Sequence, residues 1–495
     1  MHTLQNPYDA VAYPGLAFPH THPDRLAAMA ILHGLTPPAV GHCRVLEVAC
    51  NEGANLIPMA YAIPGAEFVG FDLAGQSIER GQDRIRELGL HNIRIFQSDL
   101  LDVGAELGRF DYIIANGLYA WVPEPVRDRL LALCGELLTP NGAAFVSYNA
   151  LPGCYLRTMI REMMLTRVGD IEDPAERVSG ALQFLRFLSG TRPEGDPFRM
   201  LLEEQLERME KREPPVTYHD ELGDSYHPVH FTQFVGHARK HGLQYLSEAE
   251  LPPPPDPCYR ADLRSALENE APGDILKQEQ MLDFVRMRMY RETLLCRQQC
   301  VLRRDFPAEH FRRLFLASQV TSKLGEEMGK MVFTLPGGIK METNHPGAIA
   351  LLKELEAAWP RALSGAEMEP RLAEAGLPLD EDGATLLMRL AVAKMIELRG
   401  WQAPVAECIS ERPRASAISR EEARTRSKAT TLLHSTISLD DPLVRSFLKL
   451  LDGTRDRGQL LDALRGELPS NPADEIARGI EPCLKSFHRA GVLEA

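Results

Sequence analysis

At 495 residues, with 44% hydrophobic side chains, the chain is long enough to bury more than one core. Its formal charge of −14 excludes the broad electropositive footprint that phosphate neutralisation requires, so no nucleic acid is expected as partner, and an acidic surface suits lysine-rich proteins instead. The nine cysteines are scattered with no Cys-x-x-Cys pair, which points to reduced thiols, no disulfide framework and no zinc site.

The first forty residues are dense in turn formers and aromatics, and prolines at positions 7, 14, 19 and 23 forbid a regular helix until the amphipathic run Asp24 to Leu35. This arm either packs as surface structure or forms a lid in which Tyr8, Tyr13 and His22 exclude water from a ligand. The opening residues lack the basic start and apolar core of a signal peptide, and no apolar run approaches the roughly 20 residues that cross a bilayer, so a cytoplasmic protein without membrane insertion is expected.

From Arg44 onward, short apolar runs alternate with helical patterns, the signature of a mostly parallel sheet covered on both faces. Strands are predicted at Arg44–Ala49, Glu67–Asp72, Ile93–Gln97, Tyr112–Asn116 and Ala143–Tyr148, with helices between them at Gln76–Leu88 and Val126–Leu138. The first strand breaks into small and polar residues, Glu47-Val-Ala-Cys-Asn-Glu-Gly-Ala-Asn55, and then into a helix. A strand, tight turn and helix of this kind holds a nucleotide-type cofactor, because the turn's backbone must come close to the ligand while an acid ending the next strand, Asp72, takes ribose hydroxyls. Ligands of such sheets lie beyond the carboxyl ends of the strands. The positions to examine are therefore 51–55, Asp72 and Leu73, Ser98 to Leu100, 116–121, and Tyr148 with Asn149.

These motifs resemble class I S-adenosylmethionine-dependent methyltransferases, with Ala49 and Asn51 standing where most members carry glycine. Asp99 is similar to the acid that meets the adenine amino group, and Leu137-Leu-Thr-Pro-Asn-Gly is similar to the turn before the fifth strand. More narrowly, 46–60, Asn116-Gly-Leu-Tyr-Ala-Trp-Val-Pro and Ser147-Tyr-Asn-Ala-Leu-Pro-Gly resemble the bacterial members that carry a methyltransferase regulatory domain, among them rickettsial protein lysine methyltransferases. The resemblance implies S-adenosylmethionine as cofactor, held by Tyr13, Glu47, Ala49, Asn51, Gly53, Asn55, Asp72, Leu73, Ser98, Asp99, Leu100 and Asn116. It implies a lysine side chain of a protein as acceptor. Asn116, Tyr119, Trp121 and Tyr148 are the candidate acceptor-side catalytic residues, with Tyr119 and Trp121 either lining the acceptor channel or serving as core aromatics. A small-molecule acceptor and a cofactor-binding regulator without turnover stay open as alternatives.

Beyond the sheet, Arg157–Leu165, Ala175–Leu188 and Phe198–Lys211 have helical spacing. The stretch from His219 to Val285 resembles the regulatory domain, and its four histidines from His219 to His237 have no metal-ligand spacing, so no metal is expected. Leu251 to Pro257 should be extended, and the arginines at 286, 288, 291, 297, 303 and 304 read as a solvated helical face or a docking site for an acidic segment. Met331–Lys340 reads as a hairpin. The expected fold class is α/β: a Rossmann-like methyltransferase sheet, a mainly helical middle domain and a C-terminal winged-helix-like domain. The expected division is an arm over 1–40, a cofactor domain over 41–195, a helical regulatory domain over 196–320, a helical and hairpin region over 321–408, a linker over 409–435 and the last domain over 436–495, with a homodimer compatible.

Overall fold

The alternation of apolar runs and helices after Arg44 produces one seven-stranded sheet. The computed structural model describes residues 7–252, 262–327, 329–469 and 471–494. In chain order the sheet's strands are β1 (Arg44–Val48), β2 (Glu67–Asp72), β3 (Ile93–Gln97), β4 (Phe110–Ala115), β5 (Leu138–Asn149), β6 (Leu243–Glu248) and β7 (Tyr290–Arg297). Their spatial order is 3-2-1-4-5-7-6. The first five are parallel, in registers such as Leu46↔Val69 and Leu46↔Ile113, while β7 runs antiparallel between β5 and β6. The central strands are apolar on both faces because helices cover both, and Leu46, Val69, Ile113 and Val146 are fully buried.

The strand order reverses beside β1, between β1 and β4, which opens a crevice beyond their carboxyl ends. Helix Leu56–Ala62 starts at that crevice, immediately after the turn that follows β1.

Three expectations about domain organisation are corrected. The middle region is mainly helical, as expected, but it is not separate from the sheet: its strand β7 pairs with β5 and β6 pairs with β7, with Leu243 and Leu295 in the same core as Val146, so this region completes the sheet. Between β5 and β6 the chain forms a helical body from Cys154–Val168, Pro174–Gly190 and Pro197–Glu210, with its own core of Ile160, Met164, Leu185 and Leu202. The arginine-rich run is not a solvated helix. Helix Ile275–Arg286 ends at the first of these arginines, and Arg291 lies on β7, 1% exposed, bound by Asp283 at 2.8 and 2.9 Å, Glu248 at 2.7 Å and Glu279 at 3.0 Å.

The third correction is the expected linker at 409–435. It contains helix Ala417–Thr425 and strand Lys428–Thr430, and the latter pairs with Thr436–Ser438. Part of its charge is used in an interface: Glu421 and Glu422 clamp the buried Arg84 at 2.8 and 2.6 Å. The last three helices, Pro442–Leu450, Arg457–Glu467 and Ala473–Arg489, close a core around Phe447, Leu464 and Leu484. The hairpin is present as Met331–Thr334 against Lys340–Thr343, with Thr321–Leu324 as a third strand. The proline segment lies, from Pro253 on, outside the described residues. Among the described residues no helix is long and apolar enough to cross a membrane.

Candidate active site

The turn after β1 adopts left-handed backbone at Ala49 (φ 58°), Asn51 (φ 51°) and Gly53 (φ 70°). Ala49 and Asn51 therefore hold the conformation that glycine takes freely, at a cost of about 1–2 kcal/mol for alanine and less for asparagine. Specific bonds offset it. The Asn51 N–H donates to Asp72 Oδ2 at 2.8 Å, the Cys50 N–H to the Phe71 carbonyl at 3.1 Å, and the Asn51 amide to the Tyr13 carbonyl at 3.2 Å. Asp72 also accepts from the Ala74 N–H at 2.8 Å, so β2's terminal acid fixes the turn and still faces the crevice half-exposed. Burial raises its pKa against those bonds.

The surrounding positions divide by what they do. Leu73 stands 54% exposed beside Asp72. Asp99 caps the turn after β3, accepting from the Leu101 N–H at 2.9 Å, and the Ser98 N–H donates to the Asp72 carbonyl at 3.0 Å. Leu100 is buried, so its side chain belongs to the core. Glu47 is also buried, with Oε1 receiving the Asn55 amide at 2.7 Å and Oε2 without a partner among the described residues, and burial pushes its pKa up to about 8.

Asn55 does not face the crevice. Its Oδ1 accepts from the Phe18 N–H and from His434 Nε2, both at 2.9 Å, and its amide also donates to Thr21 Oγ1 at 3.0 Å. It is a hub joining the arm, β1 and the C-terminal domain. His22 is likewise no lid residue. It accepts from the Asp24 N–H and stacks between Trp401 and His434 on this dry side, where burial drives both imidazoles to their neutral forms, His434 to about 3. Arg426 completes the attachment, reaching Glu52 at 2.6 Å and the Gly15 carbonyl at 3.3 Å. A Cβ on Gly15 would lie 2.6 Å from that of Ala54, so the arm can pass the turn only as glycine.

On the open side the arm returns as helix Pro7–Ala10 and the segment to Tyr13. Tyr8 stacks on His219 with centroids 4.2 Å apart, and His219 Nε2 donates to the Val11 carbonyl at 2.7 Å. The Tyr13 hydroxyl donates to Asp220 Oδ1 at 3.4 Å. Tyr8 and Tyr13 thus cover the crevice mouth, held by helix Pro214–Leu222.

At the ends of β4 and β5, Asn116 Oδ1 accepts from Ser147 Oγ at 2.9 Å and from the Tyr290 hydroxyl at 3.4 Å, and the Gly117 N–H donates to Ser147 Oγ at 2.7 Å. Tyr119 and Tyr148 are not beside them. The turn Tyr119–Trp121 rotates Tyr119 inward onto Phe234 and His237, and the pleat of β5 sends Tyr148 into the same core against Phe234 and Thr293. Trp121 is half-buried against Tyr226, with Arg157 and Arg161 over its ring. Four residues of this mouth were not singled out as site residues from sequence: Ser147, Tyr290, His219 and Asp220. The histidine run is dispersed, with His237 joining His241 on Asp128 at 2.9 and 2.8 Å, on the outer face.

Comparison with known proteins adds three family matches: a methyltransferase domain over residues 45–142, a predicted methyltransferase regulatory domain over 214–297, and a PKMT C-terminal winged helix domain over 411–490. Two uncharacterised Rickettsia prowazekii proteins are similar in sequence. RP028 is 32% identical over 240 residues, 48% of this chain and 96% of the relative, and RP789 is 32% identical over 311 residues, 62% of this chain and 56% of the relative. The chain thus spans just over half of RP789's length. The fold matches that of PKMT2 from Rickettsia typhi with a TM-score of 0.85 at 24% identity, over 97% of this chain and 100% of that one, and a structure of the same protein in complex with AdoHcy matches equally.

Proposed function

Because the chain belongs to the class I S-adenosylmethionine-dependent methyltransferases that carry a methyltransferase regulatory domain, we propose that it binds S-adenosylmethionine in the crevice beyond β1 and β2 and methylates lysine side chains of a protein substrate. The observation that carries the cofactor assignment is the left-handed turn at 49–53 tied to Asp72, with the unpartnered buried Oε2 of Glu47 behind it. Such a turn offers backbone N–H groups without bulky side chains, and Asp72 keeps lone pairs beyond the two N–H bonds it accepts. Ala49, Asn51 and Gly53 would hold the cofactor through backbone, Asp72 through its carboxylate, and Leu73, Ser98 and Asp99 around the base. Tyr8 and Tyr13 exclude water above it.

When bound, the cofactor supplies an electrophilic methyl on a positive sulfur. The chain's own task is alignment: bringing nucleophile and methyl within about 3–3.5 Å and in line removes many kcal/mol of barrier. Asn116, held by Ser147, and Tyr290 present fixed polar atoms at the acceptor side. A lysine amine, with a reference pKa of about 10.4, must reach them neutral, which a desolvated aromatic mouth favours. The lysine acceptor is supported by the similarity to the rickettsial PKMT proteins, and a reducing cytoplasm by the unpaired cysteines among the described residues.

The test is calorimetric titration with S-adenosylmethionine and S-adenosylhomocysteine on the wild type and Asp72→Ala, followed by mass spectrometry of a cell extract treated with enzyme and cofactor. Binding lost in the variant and methylated lysine peptides are expected. Binding without any methylated protein would overturn the protein acceptor, and no binding would overturn the whole reading.

A further inference from the structure

Two neighbouring acids on helix Pro214–Leu222 are used in different ways. Glu221 is buried and bonded, receiving Arg157 at 2.8 and 3.0 Å and Arg212 at 3.2 Å. Asp220 is anchored by its backbone instead: its carbonyl accepts from Arg157 at 2.9 Å and Arg161 at 2.7 Å. Its carboxylate, 25% exposed, meets among the described residues only the Tyr13 hydroxyl at 3.4 Å and the Arg157 guanidinium at 3.8 Å. The Arg157 donors go to Glu221 and to that carbonyl, so the carboxylate oxygens keep open acceptor capacity in a mostly desolvated wall. That is an expensive arrangement for a group without a ligand.

Besides Arg157, this carboxylate faces the Tyr13 phenol at the mouth. Burial, and after it the charge of Asp220, raises the pKa of the Tyr8 and Tyr13 phenols, while burial raises that of Tyr290 and of Asp220 itself. Tyr290 reaches Asn116 at the end of β4, and Tyr13 is bonded to the cofactor turn through Asn51. A carboxylate among phenol rings is the chemistry of an alkylammonium site, since the rings attract a cation through their faces and the carboxylate accepts its N–H groups.

We infer that Asp220, with Tyr13, receives the ammonium group of the acceptor before it gives up a proton to solvent and reacts as the neutral amine, so that the mouth selects a primary or partly methylated alkylammonium of lysine type. This rests on the proposed methyl transfer and deepens it. The arrangement also explains the arm's position, because Tyr13 touches the cofactor turn and the acceptor wall together.

The experiment uses the full chain and three probes: S-adenosylhomocysteine, and two analogues in which nitrogen replaces its sulfur and carries either an aminopropyl or a propyl arm. In the wild type the aminopropyl analogue should bind about tenfold more tightly than the propyl one, and Asp220→Asn should abolish that gain while S-adenosylhomocysteine affinity stays within about twofold. Equal affinity of the two arms in the wild type overturns the inference, as does a gain that survives in the variant, even though S-adenosylhomocysteine binds. Failure of the wild type to bind S-adenosylhomocysteine overturns the methyltransferase reading first and the inference with it. If Asp220→Asn does not fold, the comparison of the two arms in the wild type decides alone.

Discussion

On its inner side the turn at 49–55 is packed against a dry wall in which Asn55, Thr21, His22 and His434 bond or stack with one another and the C-terminal domain is locked on by Arg426 and Arg84. On its outer side the same turn meets Asp72 and Tyr13, which are partly exposed, and Tyr13 is joined to Asp220 by a longer 3.4 Å contact. One side spends its polar groups on protein, and the other keeps them for a ligand. A single turn can be both rigid and available because different residues serve each side: Glu52 and Asn55 bond inward, and Asn51 bonds to Asp72 and Tyr13.

That contrast can be broken most forcefully at Asn55. Asn55→Ala should strip buried partners from Glu47, Thr21 and His434 together, costing about 3 kcal/mol of stability, read as a lowered denaturation midpoint. The outer side should respond in the opposite way. Asp72→Ala should reduce S-adenosylhomocysteine affinity by about 100-fold in calorimetry, since a charged partner is lost and two N–H groups are left unpaired, with a smaller loss of stability than Asn55→Ala. A large stability loss with near-normal affinity in Asp72→Ala would erase the distinction.

A pH series sharpens it. His22 and His434 are neutral in the fold against an ordinary 6.5, so their contribution is present above pH 6.5 and lost as pH falls below it, toward about 3 for His434. Glu47 has the reverse sign: raised from 4.5 to about 8, it favours the fold below pH 4.5 and loses that contribution as pH rises toward 8. Of these three groups only Glu47 titrates between pH 6.5 and 8, so its contribution to the inner side should fall by up to about 2 kcal/mol there. In Glu47→Gln that decline should vanish while the acid limb stays, as thermal melts without added cofactor at the two pH values will report. The smallest effect belongs to Tyr13→Phe. Its hydroxyl makes one 3.4 Å contact, so stability should move by less than about 0.5 kcal/mol.

The fold and the cofactor side were readable because their signals are contiguous. The run from Arg44 to Asn55 contains strand, turn and helix start, and Asp72 closes the next apolar run. Even the missing glycines at 49 and 51 did not hide the turn, because neighbouring bonds hold the conformation. The acceptor side was readable only in part. Tyr119 and Tyr148 follow or end strands as site residues do, yet a short helical turn and the strand pleat rotate both rings into the core. Asp220 meets Tyr13 across 207 residues, and Tyr290 arrives on an antiparallel strand, so no local spacing announces either. The segment at 409–435 was misread for a third reason: its charges resemble those of a solvated linker, and only the partners Arg84 and Glu52 reveal an interface.

The insertion of β7 between β5 and β6 sets what can move. From Ala144↔Leu295 through Asn149↔Tyr290, the segment matched as regulatory is zipped into the catalytic sheet by backbone hydrogen bonds. It cannot swing aside as a gate without unzipping that edge, and a chain cut before Leu243 would leave β5 as a bare, apolar strand edge of the kind that pairs with other chains and aggregates.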